Sequence, residues 1–312
     1  MKPRRNGFVL MCVLWVVAML TVITLGFGHR AALDRRAAAY SLDHAVAMVA
    51  ARGAVERGIV ELANRGVKMR LFPPDMRGGT HLGEAWAIPK NIYGEGNLTA
   101  DDSLKHDEAS YIITDEERFI NINTAPKELL DNMKAMSKPL ARKIWTRRTK
   151  EENTDEGIIP FSCIEELRYL HGVDEDDWLG TAKKTGLKDL LTVWGGLINV
   201  NTASRDVLMC VPGVKEGDID AILNIRAGAD GKLNTGDDRG FINLEDMSVK
   251  TGVRGDTRDA LNTYCACDSA FFKITGLATR RAGRIRAVCS AVVTFGEGGL
   301  QTVDWQEKAL GS

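Results

Sequence analysis

The 312-residue sequence has almost no net charge: 41 Lys and Arg against 42 Asp and Glu leave −1 at neutral pH. So even a balance gives no whole-protein attraction for a polyanion, and nucleic acid is not an expected partner. Histidine is scarce. His29, His44, His81, His106 and His171 are scattered, and none sits at metal-ligand spacing. Six cysteines (Cys12, Cys163, Cys210, Cys265, Cys267, Cys289) form no paired CxxC motifs with histidine partners, so structural zinc is not expected. No GxSxG, P-loop or HExxH occurs, and an enzyme is not expected. One absence is local: nothing charged lies between Phe8 and Phe27.

That uncharged run has the roughly 20-residue length of a membrane-crossing helix. It is too long for the roughly 7–15-residue core of a secretory signal, and no clear A-x-A cleavage site follows it before the helix continues. Lys2, Arg4 and Arg5 favour a cytoplasmic N-terminus, a bias weakened by Arg30, Arg35 and Arg36 on the far side. From Ala31 to Asn64 there is no proline. Leu33, Ala37, Tyr40, Val46, Val49, Ile59 and Leu62 recur at helical spacing, which predicts a long amphipathic stem.

Beyond residue 66 the character changes. Pro73, Pro74, Gly78, Gly79, Gly83, Gly94 and Gly96 punctuate short segments, and "EAWAIPK" and "SYIITDEERFININ" read as strands. An internal repeat follows: "FININTAPKELL" (119–130) matches "LINVNTASRDVL" (197–208), and "IPFSCIEELRYLHGV" (159–173) matches "RGFINLEDMSVKTGV" (239–253). Thr124 and Thr202 are candidate N-caps, Gly172 and Gly252 candidate helix ends. "SAFFKITGLA" (269–278), "GRIRAVCSAVVTF" (283–295) and "LQTVDWQEK" (300–308) alternate as strands and would complete the sheet begun before residue 119. The basic run "ARKIWTRRTK" (141–150) reads as a solvated helix face.

The stretch "INVNTASRDVLMCVPGVKEGDIDAILNIR" resembles the helix-hairpin-helix modules of DNA-binding and DNA-uptake proteins, in which a PGIG-type hairpin aims backbone N–H groups at a phosphate. Here Lys215 replaces the second glycine. Residues 197–253 carry six Lys/Arg against nine Asp/Glu, a net −3 that repels a polyanion. A membrane-anchored helix-hairpin-helix DNA receptor for uptake is therefore the alternative reading.

The leader carries a second resemblance. A basic head ending in Gly7, then Phe8, then an apolar helix running into a stem, resembles a type IV prepilin or pseudopilin leader. The resemblance implies cleavage between Gly7 and Phe8 by a prepilin peptidase, with methylation of the new amine. Most pilins carry a glutamate at the fifth mature position, which neutralises a neighbour's N-terminal amine where an unpaired charge is costly. Here that position is Cys12, and a thiol cannot take the role. With the order of stem, "DEERFININTA", two helical modules and final strands, the chain resembles the minor pseudopilin K family of type II secretion systems (general secretion pathway protein K). The resemblance implies a subunit that nucleates and caps the pseudopilus tip. Its partners would be the minor pseudopilins of I and J types and the major pseudopilin. It would be single-pass in the bacterial inner membrane with its C-terminal domain in the periplasm.

The expected fold is α+β: a transmembrane and stem helix with a pilin-like antiparallel sheet, interrupted by an all-α insertion of two helix-hairpin-helix or SAM-like modules. The expected boundaries are leader 1–7, helix 8–65, first β segment 66–118, insertion 119–262 (repeats 119–173 and 197–253) and second β segment 263–312. Within the insertion, "GADGKLNTGDDRGF" (228–241) clusters Asp230, Asn234, Asp237 and Asp238 among glycines. Calcium takes six to eight oxygens, and the loop offers such donors without the EF-hand register. Family members can bind calcium in this insertion, so calcium is the one expected cofactor. "VDEDDW" (173–178) is better read as an acidic helix start. If the compartment permits disulfides, Cys265, Cys267 and Cys289 are candidates whose pairing stays open.

Overall fold

The computed structural model describes residues 6–71, 79–92, 108–149, 159–233, 235–296 and 299–310. A single helix, α1 (Asn6–Leu71, 66 residues), opens the chain. At about 1.5 Å per residue it is roughly 100 Å long. Its apolar part is long enough to cross a membrane, with a mean hydropathy of 2.7 and none of the span buried. The helix runs a turn and a half past the expected end, to Leu71.

Five strands form one antiparallel sheet in the order β1 (Lys90–Asn91), β2 (Ala109–Asp115), β9 (Phe271–Arg280), β10 (Ile285–Gly296) and β11 (Gly299–Leu310). "EAWAIPK" is not a strand but a 3-10 turn (Ala85–Ala87) leading into the two-residue β1. The turn lets Trp86 drop into the core, edge-on to Phe272 at 5.3 Å. "SYIITDEERFININ" likewise breaks after Asp115 into a 3-10 turn, Glu116–Arg118.

The stem packs on this sheet through a face the apolar spacing predicts only in part: Leu62 and Ile59 join the core, but most of the contact comes from small residues. Ala47, Ala51, Ala54, Val55 and Leu62 are fully buried, whereas Val46 and Val49 are 39% and 63% exposed. Small residues win because the backbones come close. A Cβ on Gly276 of β9 would lie 2.4 Å from the Ala51 carbonyl, and one on Gly58 would lie 2.6 Å from Ile274. Large side chains on this face would hold the helix off the sheet.

The insertion leaves the sheet after Asp115 and returns at Phe271, and Asp115 and Phe272 are register partners. It contains two modules with the same skeleton. The first runs from β3 (Ile120–Asn121) through α2 (Lys127–Asn132), α3 (Lys138–Arg148), α4 (Glu175–Leu179) and a small ribbon, β4 (Gly180–Thr181) with β5 (Lys184–Thr185), to β6 (Leu191–Thr192). The second runs from β7 (Ile198–Asn199) through α5 (Arg205–Met209), α6 (Glu216–Arg226), α7 (Leu244–Thr251) and α8 (Asp256–Tyr264) to β8 (Cys265–Ala266). Each is closed by a two-residue parallel clip, β3 with β6 and β7 with β8. One continuous core, from Ile120 to Cys267, fills both modules, separate from the core between stem and sheet.

Candidate functional site

Three regions bear on function: the stem, the seam between sheet and insertion, and the acidic loop. On the stem, Gly7 lies in the backbone of α1, Phe8 is 69% exposed, and Cys12 is exposed on the apolar span. Residues 1–5 of the leader lie outside the described residues. Opposite the sheet, Leu42, Val46, Val49 and Val60 are exposed on one face. Their intervals of four, three and eleven residues keep them in register on a helix, so they make an apolar stripe.

The two ends of the sheet differ. Asp43, early in the packed part of the stem, meets Arg281 at 2.5 Å and Arg280 at 3.5 Å in the β9–β10 turn. Arg65, late in the stem, meets Glu84 at 2.7 Å and lies over Phe272. The helix therefore climbs from the β9–β10 turn to the end where the insertion departs. That places the insertion at the end of the sheet farther along the stem from the apolar span.

The seam is built from "DEER" (115–118), a run that the sequence reading took for part of a strand. Asp115 is 1% exposed. Its carboxylate accepts from Thr202 (2.5 Å), Ser269 (2.7 Å), Asn199 (3.1 Å) and the Glu117 N–H (2.9 Å). Burial pushes this carboxyl above the ordinary range, against those four bonds that favour its charge. Glu116 accepts from Thr192 (2.5 Å) at the close of module one. Glu117 accepts from the backbone of Gly196 (3.1 Å) and Ala270 (2.6 Å). Three consecutive acids thus hold both modules and the returning strand.

Thr202 serves here and not as a helix cap: Ser204 caps α5, accepting from Val207, while Pro126 precedes α2 with no side-chain cap. Gly252 does end α7, in the left-handed conformation at φ 76°. Asp174 caps α4 as the acidic start of a helix should. The basic run on α3 is only partly a solvated face: Arg148 is buried and donates to the Ile122 (2.7 Å) and Ala125 carbonyls. At the start of α5, Arg205 is taken up by Glu216 and Asp220 of α6, so it does not approach a phosphate freely. All six cysteines are free thiols. Cys289 sits in the stem–sheet core, Cys265 and Cys267 in the other.

The loop 228–241 is a hydrogen-bonded turn. Asp237 accepts from the Ala229 (2.8 Å) and Asp230 (3.1 Å) N–H groups and from the Thr235 hydroxyl (2.7 Å). These bonds, Thr235 first, hold its carboxyl below the ordinary range. Asp230 accepts from the Lys232 N–H (2.8 Å), and the buried Asp238 from Thr235 (3.2 Å). Asn234 lies outside the described residues. Among the described residues no three carboxylate, histidine or cysteine side chains converge on a cation position. The donors fit calcium in chemistry, but the described ones do not converge.

No known family profile matches the sequence, and no curated protein does. The architecture itself defines a class, an α+β pilin-like fold with an apolar N-terminal helix and a helical insertion in its sheet. Among solved structures it is similar to a chain in the crystal structure of the GspK–GspI–GspJ complex from the enterotoxigenic Escherichia coli type 2 secretion system. The TM-score is 0.53 at 15% identity, over 81% of this chain and 94% of that one.

Proposed function

We propose that the protein is a minor pseudopilin of the K type that occupies and nucleates the tip of a type II secretion pseudopilus and has no chemistry of its own. The observation that carries this reading is the position of the insertion, at the end of the sheet away from the apolar span. A subunit stacking beyond it would meet the insertion, while the other end of the sheet stays open. Cys12 supports the same place. With no carboxylate there, this subunit offers nothing to neutralise the amine of a subunit ahead of it. The Leu42–Val46–Val49–Val60 stripe would be covered by stems of I- and J-type minor pseudopilins and of the major pseudopilin. The membrane would be the bacterial inner membrane, with the folded part in the periplasm and the leader removed after Gly7 by a prepilin peptidase. Calcium binding by Asp230, Asn234, Asp237 and Asp238 belongs to the proposal, on the oxygen donors of that loop together with the calcium that the resemblance implies for the insertion.

The test is the mass of the N-terminal peptide after co-expression with a prepilin peptidase. The expected chain begins at Phe8 with a methylated amine. An intact Met1 start, under conditions that process a known prepilin, removes the reading.

A further inference from the structure

The β9–β10 turn reads "TRRAGRIR" (279–286), four arginines and no acid. It is built to be stiff. Arg281, Ala282 and Gly283 all have positive φ (52°, 53° and 81°), and the Arg284 N–H closes the turn on the Arg281 carbonyl at 3.4 Å. Arg281 is spent on Asp43. Arg284 and Arg286 are exposed. Among the described residues neither has an ionic partner, and the Arg286 guanidinium meets only the Gly283 carbonyl, at 3.1 Å. Arg30, Arg35 and Arg36 stand exposed lower on the stem. The four arginines of the turn thus stand against Asp43 and Glu108 at the span-side end of the folded part, in a chain whose net charge is −1.

Height decides what this surface meets. Asp43 lies 16 residues beyond Phe27 (43 minus 27), about 24 Å along the helix axis at roughly 1.5 Å per residue. The headgroup layer adds only about 5–7 Å to the hydrocarbon edge, and charges beyond about 8–10 Å are screened. The turn therefore stands clear of the lipid while Phe8–Phe27 spans it, which leaves a protein as its partner.

We infer that the Arg284–Arg286 turn is a docking surface for an acidic patch on the head of the pilin-like subunit directly below in the assembly. This rests on the proposed function and adds to it the chemistry of the partner. The two guanidiniums act as rim charges, setting orientation and encounter rate more than total affinity.

The experiment co-expresses the full chain with the I- and J-type minor pseudopilins of its own system and purifies the complex in neutral detergent. Wild type, Arg284→Glu/Arg286→Glu and Arg284→Gln/Arg286→Gln are compared from about 50 to about 500 mM salt. The expected result is that wild-type recovery falls as salt rises. The charge reversal should lose about tenfold at low salt, and the glutamine pair should lose less with a flatter salt response. Both variants leave the Asp43 contact intact, and thermal melting checks that each is folded. If the reversed variant does not fold, the glutamine pair carries the test. Equal, salt-independent recovery of all three chains overturns the inference and leaves the proposed function standing. A loss seen only when anionic lipid is added back also overturns it, by assigning the turn to the membrane. No recovery of either partner by wild type removes the proposed function and this inference with it.

Discussion

The two modules of the insertion share a hydrogen-bond skeleton and differ in what it is tied to. In the first, Asn121 accepts from the Asn123 N–H (2.8 Å), and Asn123 exchanges two bonds with the Phe161 backbone (2.9 and 2.8 Å). In the second, Asn199 accepts from the Asn201 N–H (2.9 Å), and Asn201 exchanges two with Phe241 (2.9 and 2.8 Å). Arg148 and Arg226 play one part as well, each donating to the alanine carbonyl of its own "NTA" turn, at Ala125 and Ala203. The difference lies in the leftover donors. Among the described residues the Asn121 amide reaches only the Gly195 carbonyl, at 2.6 Å. The Asn199 amide reaches Asp115, Ser269 and the Thr80 carbonyl, and Asn201 donates a further bond to the Cys267 carbonyl at 3.0 Å. Module two therefore carries most of the joint between sheet and insertion, while module one is tied to the seam through Thr192 and Glu116.

Breaking that joint is the largest effect expected. Asp115→Ala leaves buried donors on Thr202, Ser269 and Asn199 unmatched, which should cost about 3–5 kcal/mol by denaturant unfolding. Asp115→Asn keeps an acceptor and should cost about 1–2 kcal/mol. It should also remove a pH dependence. The folded-state pKa of Asp115 is raised, so the native state holds its proton to higher pH than the unfolded chain. Stability then falls as pH rises from the ordinary carboxylate value through the raised one, and the asparagine variant should be flatter over that window. A wild-type profile that rises there instead would mean the four bonds outweigh burial.

The module comparison is sharpened by its two central asparagines. Asn201→Ala should cost about 2–3 kcal/mol and Asn123→Ala about 1–2 kcal/mol, because only the former also holds the Cys267 carbonyl, between β8 and the returning strand. Hydrogen exchange reads the same contrast locally. Asn201→Ala should expose the Phe241 amide and the β8 backbone together, whereas Asn123→Ala should expose the Phe161 amide alone. Equal spread of the two effects would dissolve the distinction between joint and passenger.

The sequence made the repeat visible because its turns demand the same residues twice: "NINTA" and "NVNTA" present both asparagines in place. It hid the seam, since Asp115, Glu116 and Glu117 are separately tied to residues 76 to 154 positions away. The available signal was a run of acids inside an otherwise apolar strand pattern. The stem misled for a different reason. Helical spacing picks out Leu62, which is buried, but also Val46 and Val49, which are not, because a helix lying close on a sheet selects alanine and glycine at the contact. The same contrast predicts opposite mutational behaviour on the two faces. Ala51→Leu should cost about 1–3 kcal/mol by overpacking against Gly276. Val49→Ser should change the lone subunit by under about 0.5 kcal/mol and show itself only as weaker recovery of partner subunits.

The smallest effect concerns the acidic loop of module two. Asp237 now spends its oxygens on the Ala229 and Asp230 backbone and on Thr235, so calcium has to compete with a turn that is already satisfied. That argues for a weak site, in the range of about 10⁻⁴–10⁻³ M found in extracellular modules. At a Kd of about 1 mM, about 1 mM calcium stabilises the fold by only about 0.4 kcal/mol. Calorimetric titration of the detergent-solubilised chain should therefore give a shallow isotherm that Asp237→Asn abolishes. No heat at millimolar calcium would mean that the turn's own hydrogen bonds have taken the place of the ion. The acids of 228–241 would then be structural in the same sense as those of "DEER", acceptors for backbone donors.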